Sequence, residues 1–268
     1  MIDEVSVNQT STLGWDFETD VQQIEQAGFQ GIGVFRRKLE DVELQNAAVC
    51  LQNSGLGVSS LGWIGGFTGS DGLRYEDAYN TAIDGINEAA VLGTQILTVI
   101  AGGLNNHIRT HAKRTLIQAL KQLGMIASDQ GINVALEPIH PGCGEEWSFV
   151  HDLKSALEII EQVDHPSVGL VCDLYHVGLQ DDQVEWFPEA TPHIQLVQIG
   201  DGHGSPMGEM NRCLLGDGII PIPRLIEALV GCGYRGPFEL ELVGEELERY
   251  DRRRVLDHAR EYLDRHFS

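Results

Sequence analysis

The chain has no unbroken apolar run of the ~18 residues that a membrane-crossing helix requires, so no membrane partner is expected. Basic residues are scarce. Lys and Arg number 18 against 40 Asp and Glu, a formal net charge of −22. A surface this negative repels a phosphate backbone, which argues against nucleic acid as a partner. The acidic excess itself reads as a solubility device. Cysteine is sparse too: Cys50, Cys143, Cys172, Cys213 and Cys232 are odd in number and show no C-x-x-C spacing. That pattern argues against a disulfide framework or a cysteine zinc site and points to five reduced thiols. The opening MIDEVSVNQT has neither a basic leader nor an apolar signal-type core, so a cytoplasmic location is the expectation. No linker or low-complexity stretch interrupts the chain.

What the sequence does hold is a rhythm. Short apolar runs recur at VSVN (5–8), GIGVF (31–35), GVSSLG (57–62), ILTVIA (96–101), NVALE (133–137), VGLVCD (168–173), IQLVQI (194–199) and FELEL (238–242). Between them stand segments with apolar residues three and four apart, such as DAYNTAIDGINEAAVLG, TLIQALKQLGMIASDQG and DLKSALEIIEQV. Several of these stop at Gly, the usual helix terminator. Strands alternating with helices imply a parallel sheet covered by helices. Eight repeats in one chain of 268 residues predict a (β/α)8 TIM barrel, read as a single domain over residues 1–268. The rival, a doubly wound open sheet, wants a Gly-rich phosphate loop after the first strand, where this chain has GWDFETD.

In such a barrel the active site lies at the carboxyl ends of the strands. Four apolar runs end there in polar groups: Glu137 on the fifth, Asp173 on the sixth, Gln198 on the seventh and Glu241 on the eighth. Strand alternation places Ala135, Val171 and Leu196 beneath the first three, as inward fillers. Beneath Glu241 it places a second acid, Glu239, which needs a partner or a bulge. Three carboxylates at one mouth repel each other, and a partly dry site raises the cost. A single divalent cation compensates. Three carboxylates and an amide oxygen form a hard, oxygen-only set that suits Mn²⁺ or Mg²⁺, with Co²⁺ or Zn²⁺ as alternatives.

At these residues the sequence resembles the sugar isomerase/epimerase superfamily, with its xylose-isomerase-like barrel. That group includes ketose 3-epimerases, hydroxypyruvate isomerase, inosose dehydratase, dehydroshikimate dehydratases and endonuclease IV. The resemblance rests on ALEPIHP, VGLVCDLYHVG, IQLVQIGDG, NRCLLGDGIIPIPRLIEAL and GYRGPFELEL, and spans essentially the whole chain. It implies metal-ligand roles for Glu137, Asp173 and Glu241. The seventh-strand ligand is usually His in the epimerases; here it is Gln198, which loosens the assignment to epimerases and resembles some dehydratases. The resemblance also implies substrate contacts for His176, of the D-x-x-H motif, and for Arg212. His140, His203, Asn8, Trp63 and His107 are weaker candidates, read as structural or incidental.

The expected activity is a metal-dependent isomerisation or epimerisation of a small sugar or polyhydroxy carbonyl compound through an enediolate. Glu137 and Glu241 are the expected acid and base on opposite faces of the substrate. The alternative is a hydro-lyase acting on inosose-like or dehydroshikimate-like substrates. A homo-oligomer is compatible with either.

Overall fold

The computed structural model describes residues 2, 4–180, 183–208 and 211–267. Among them, eight parallel strands close into a barrel. They are β1 (Val5–Asn8), β2 (Gly31–Phe35), β3 (Gly57–Gly65), β4 (Ile96–Ile100), β5 (Asn133–Glu137), β6 (Val168–Asp173), β7 (Ile194–Ile199) and β10 (Phe238–Leu240). The order around the ring is β1-β10-β7-β6-β5-β4-β3-β2. Two short strands, β8 (Asp201–Gly202) and β9 (Arg212–Cys213), pair antiparallel above the ring and set Arg212 over the mouth.

Helices α1 (Phe17–Gln26), α2 (Leu44–Ser54), α3 (Tyr75–Leu92), α4 (Arg109–Asp129), α5 (Leu153–Val163), α8 (Ile222–Gly231) and α9 (Arg252–Phe267) follow the strands, with one-turn helices α6 (Leu174–Val177) and α7 (Phe187–Ala190) after β6. Local chemistry fixes their ends. The Asp16 and Asp152 carboxylates accept from the backbone N–H of Thr19 and Ser155, capping α1 and α5. Gly93 closes α3 in the left-handed conformation at φ 80°, which costs a residue without a Cβ little. Each helix buries an apolar stripe. On α4 this is Leu116, Ala119, Leu120 and Leu123. Removing one such leucine from the water is worth about 1.5–3 kcal/mol. No helix among the described residues is long and apolar enough to cross a membrane.

The apolar runs anticipate the strands closely, with three differences, the smallest being that β4 stops at Ile100 and not at Ala101. β3 runs on to Gly65, and the last strand stops at Leu240. Glu241 therefore stands just beyond the ladder, tied by its N–H to the Ile199 carbonyl at 3.0 Å. Inside the barrel, Ile96, Ala135, Val171 and Leu196 form a small apolar cluster separate from the large one under the helices. Three of these are the inward fillers expected from alternation. They make a dry floor on which the polar strand ends sit.

Candidate active site

Parallel register sets three polar groups of neighbouring strands level with one another. Asp173 pairs with Gln198, and Gln198 with Glu239. Ligand atoms of Glu137, Asp173 and His176 all lie within 4.8 Å of one another, and all three residues are buried. His176 Nε2 is 3.6 Å from Glu137 Oε1 and 3.5 Å from Asp173 Oδ2. The D-x-x-H spacing makes this contact. Asp173 caps α6 by accepting from the Tyr175 N–H at 2.8 Å, and one helical turn returns residue 176 to the same side.

Arg212 stands among the acids. Its Nη2 donates to Asp173 Oδ2 at 2.6 Å and lies 3.7 Å from Glu241 Oε2. The guanidinium also stacks over the Tyr175 ring, 4.2 Å from its centroid. Glu241 Oε1 lies at the edge of hydrogen-bond reach from the Thr10 hydroxyl, 3.5 Å away. Thus the structure gathers Glu137, Asp173 and His176 into one tight group. It joins Glu241 to that group through Arg212 and sets Gln198 beside Asp173 on the next strand.

Burial controls the protonation of these groups. It pushes the Glu137 carboxyl well above the usual carboxylate range, Glu241 and Asp173 push the same way, and Arg212 only partly offsets them. Burial also raises Glu241, to about 7, against the pull of Arg212 and with Asp173 adding to it. His176 is lowered to about 4, chiefly by burial, so its ring is neutral at pH 7. Burial alone would lower the Arg212 guanidinium, but Glu241, Asp173 and Tyr175 hold it above its ordinary value. Cys143 approaches His176 Nδ1 at 3.6 Å, and its thiol is pushed up to about 12, first by burial. A protonated thiol can donate to Nδ1, which leaves the His176 proton on Nε2, facing the carboxylates.

The donor set fits a divalent cation. Gln198 Nε2 donates to Glu239 Oε1 at 3.2 Å, while Gln198 Oε1 is buried with no hydrogen-bond partner among the described residues. An ionised carboxylate beside it cannot satisfy that oxygen, because it too is an acceptor. When ionised, the three acids outnumber the one guanidinium, and a bound cation would offset the difference.

The site opens into a cavity of about 700 Å³ lined by Glu137, His176, Arg212 and Glu241 below and by Phe35, Trp63 and Trp147 along one wall. Trp63 packs against Phe35 and, edge on, against Trp147, with centroids 5.1 and 5.6 Å apart. Of the weaker candidates, Trp63 is a wall residue and Asn8 binds Glu239 at 2.6 Å. His140 accepts from the Gly142 N–H within a turn, His203 pairs with Glu246, and His107 lies against His111 at the surface with the rings tilted. Cys143, Tyr175 and Thr10 carried no sequence signal. They lie on short helical turns after β1, β5 and β6, whose course over the mouth the strand pattern does not specify.

The family model described as xylose isomerase-like TIM barrel matches residues 21–266. The chain belongs to that family. Within this barrel family it is 27% identical, over 170 residues, to an inosose isomerase of Halalkalibacterium halodurans, covering 60% of this chain and 58% of the other. It is 25% identical, over 185 residues, to a ketose 3-epimerase of Arthrobacter globiformis, covering 68% and 60%. It is 22% identical to a 3-dehydroshikimate dehydratase of Pseudomonas putida, covering 88% and 37%. The match to the first two thus spans about 58–60% of their length. A solved structure described as the IOLI protein with a bound zinc atom superposes with a TM-score of 0.85 at 21% identity, over 99% of both chains. These relatives are enzymes of the isomerase, epimerase and dehydratase kind.

Proposed function

We propose that the chain is a divalent-metal-dependent isomerase or epimerase of a small sugar or polyhydroxy carbonyl compound. The observation that carries the reading is a pair of carboxylates, Glu137 and Glu241, at the mouth of one cavity. Glu137 ends β5 and Glu241 follows β10, three places away around the ring. Glu241 is raised to about 7, where a carboxyl can give as well as take a proton at neutral pH, and burial raises Glu137 well above the usual carboxylate range.

Glu137, Asp173, Gln198 and Glu241 would hold the cation, and the oxygen-only character of these four favours Mn²⁺ or Mg²⁺. When bound, the cation supplies Lewis-acid polarisation of a substrate carbonyl, which acidifies the neighbouring C–H. One glutamate removes that proton, and the other returns a proton to the opposite face. The neutral His176 ring, through Nε2–H, and the Arg212 guanidinium donate to substrate oxygens. Phe35, Trp63 and Trp147 cover the C–H face of the substrate and keep water off it.

The test is deuterium exchange into a panel of ketoses and inososes. Glu137→Gln is expected to keep most of the metal while exchange falls by about 10²–10⁴-fold, the usual contribution of a positioned acid or base. Exchange within tenfold of the unaltered protein would remove Glu137 from the chemistry. A second reading is favoured by Gln198 and by the similarity to a dehydratase across 88% of this chain. In it, the same proton removal is followed by loss of a hydroxyl from the next carbon. An ultraviolet-absorbing enone or aromatic product, formed without exchange into recovered substrate, selects the lyase.

A further inference from the structure

Glu239 is the acid that strand alternation left without a role. It is fully buried on β10, below the level of Glu241 and opposite Gln198 on β7. A carboxylate offers about four acceptor sites. All four are filled by neutral donors. Oε1 accepts from Asn8 Nδ2 at 2.6 Å and Gln198 Nε2 at 3.2 Å, and Oε2 accepts from the hydroxyls of Ser59 at 2.5 Å and Ser60 at 2.7 Å. Gly33 makes the room: a Cβ there would collide with Glu239 Oε2.

This network fixes which way two amides point. The Asn8 Oδ1 is engaged by the Thr10 backbone N–H at 2.9 Å and by the Thr10 hydroxyl at 2.7 Å, so the Asn8 nitrogen must face Glu239. Glu239 Oε1 is therefore an acceptor, and the group that Gln198 turns toward it must be the amide nitrogen. The amide oxygen is then forced to the other side, where it is buried and has no partner among the described residues.

We infer that Glu239 is a positioning residue: it holds Gln198 by its amide nitrogen so that Oε1 is presented to a divalent cation at the barrel mouth. With its acceptor sites filled, Glu239 itself neither binds the metal nor exchanges protons with substrate. A freely turning amide would present its nitrogen about as often, and an amide N–H repels a cation. The inference rests on the metal-binding reading proposed above.

The experiment is a Mn²⁺ titration of chelator-stripped protein, with free Mn²⁺ counted by electron paramagnetic resonance and folding checked by circular dichroism. Four chains are compared: the unaltered protein, Glu239→Ala, Gln198→Ala and the double variant. Outer partners of metal ligands commonly contribute about 10–100-fold in affinity, so Glu239→Ala is expected to bind at least about tenfold more weakly. Gln198→Ala removes the amide, so nothing is left for Glu239 to orient. In that background Glu239→Ala is expected to change the affinity by less than about threefold, well below the usual outer-partner effect. An equal loss in both backgrounds would make Glu239 a packing residue only, and no loss in either would remove it altogether; both overturn the inference. Should Glu239→Ala not fold, Glu239→Gln takes its place, with weaker binding expected when Gln198 is intact and unchanged binding in the Gln198→Ala background. Failure of the unaltered protein to bind Mn²⁺ at all would instead overturn the metal-binding reading.

Discussion

At the residue scale, the site is organised by one guanidinium among acids. Arg212 and Asp173 are both nearly inaccessible to water, and their contact is 2.6 Å. A buried ion pair adds little net stability over an apolar pair, but breaking one is expensive because a lone charge remains. Arg212→Ala is therefore expected to destabilise the metal-free protein by about 3–5 kcal/mol, read from urea denaturation in the presence of chelator. Arg212→Lys should recover part of that loss, since an ammonium can reach Asp173 but cannot fork toward Glu241 as well. A loss below about 1 kcal/mol in the alanine variant, the level typical of exposed pairs, would show that the acids simply take up protons in its place. Much at this scale was legible in the sequence: Glu137, Asp173, Gln198, Glu241, His176 and Arg212 all gather at the mouth. The hydrogen-bonding of Glu239 was not. Its donors Asn8, Ser59 and Ser60 lie 179 to 231 residues away and meet it only when the barrel closes.

At the scale of elements, strands were read almost to the residue, because a buried parallel strand is a bare apolar run bounded by helix signals. The short pieces after β6 and β7 were not read. Their lengths of two to four residues hold no period to detect, and they exist because Arg212 and Asp201 tie loops to the rim. One junction between elements has a measurable consequence. Asp20 on α1 and Lys38 in the turn after β2 form a buried ion pair, with Gln9 Nε2 also donating to Asp20 at 2.8 Å. Burial raises the Asp20 carboxyl to about 6, against the pull of Lys38. Its folded pKa lies above its unfolded one, so the folded state holds the proton more tightly. The stability it contributes is complete below about pH 4 and is lost as the pH rises to about 6. Asp20→Asn lacks this titration. The difference in unfolding free energy between the unaltered protein and Asp20→Asn should thus fall by about 3 kcal/mol from pH 3.5 to 6.5, at 1.36 kcal/mol per pKa unit. A difference that stays flat or rises would mean that Lys38 holds Asp20 ionised throughout.

At the scale of the whole molecule, the barrel and its layers follow from alternation, whereas the net charge of −22 does not serve the fold at all. It does act on stability. Several of the chain's ion pairs lie along exposed helix faces, as in Arg253 with Asp257 and Arg260 with Asp264 on α9. Such pairs are each worth about 0–1 kcal/mol and are themselves weakened by salt. Unpaired acids outnumber them, so the dominant long-range effect is repulsion, which the unfolded chain relieves by expanding. Screening removes that repulsion from the folded state: the Debye length falls from about 30 Å at 0.01 M to below about 10 Å above 0.1 M. Stability should therefore rise with salt, opposite to a protein held together by surface ion pairs. Between 0.01 and 0.5 M KCl, with chelator present to exclude metal binding, the thermal midpoint is expected to increase by about 2–4 °C, the equivalent of about 1 kcal/mol for a chain of this size. Calorimetry gives the answer directly. A midpoint that falls with KCl would mean that the exposed pairs, and not the unpaired acids, dominate the surface.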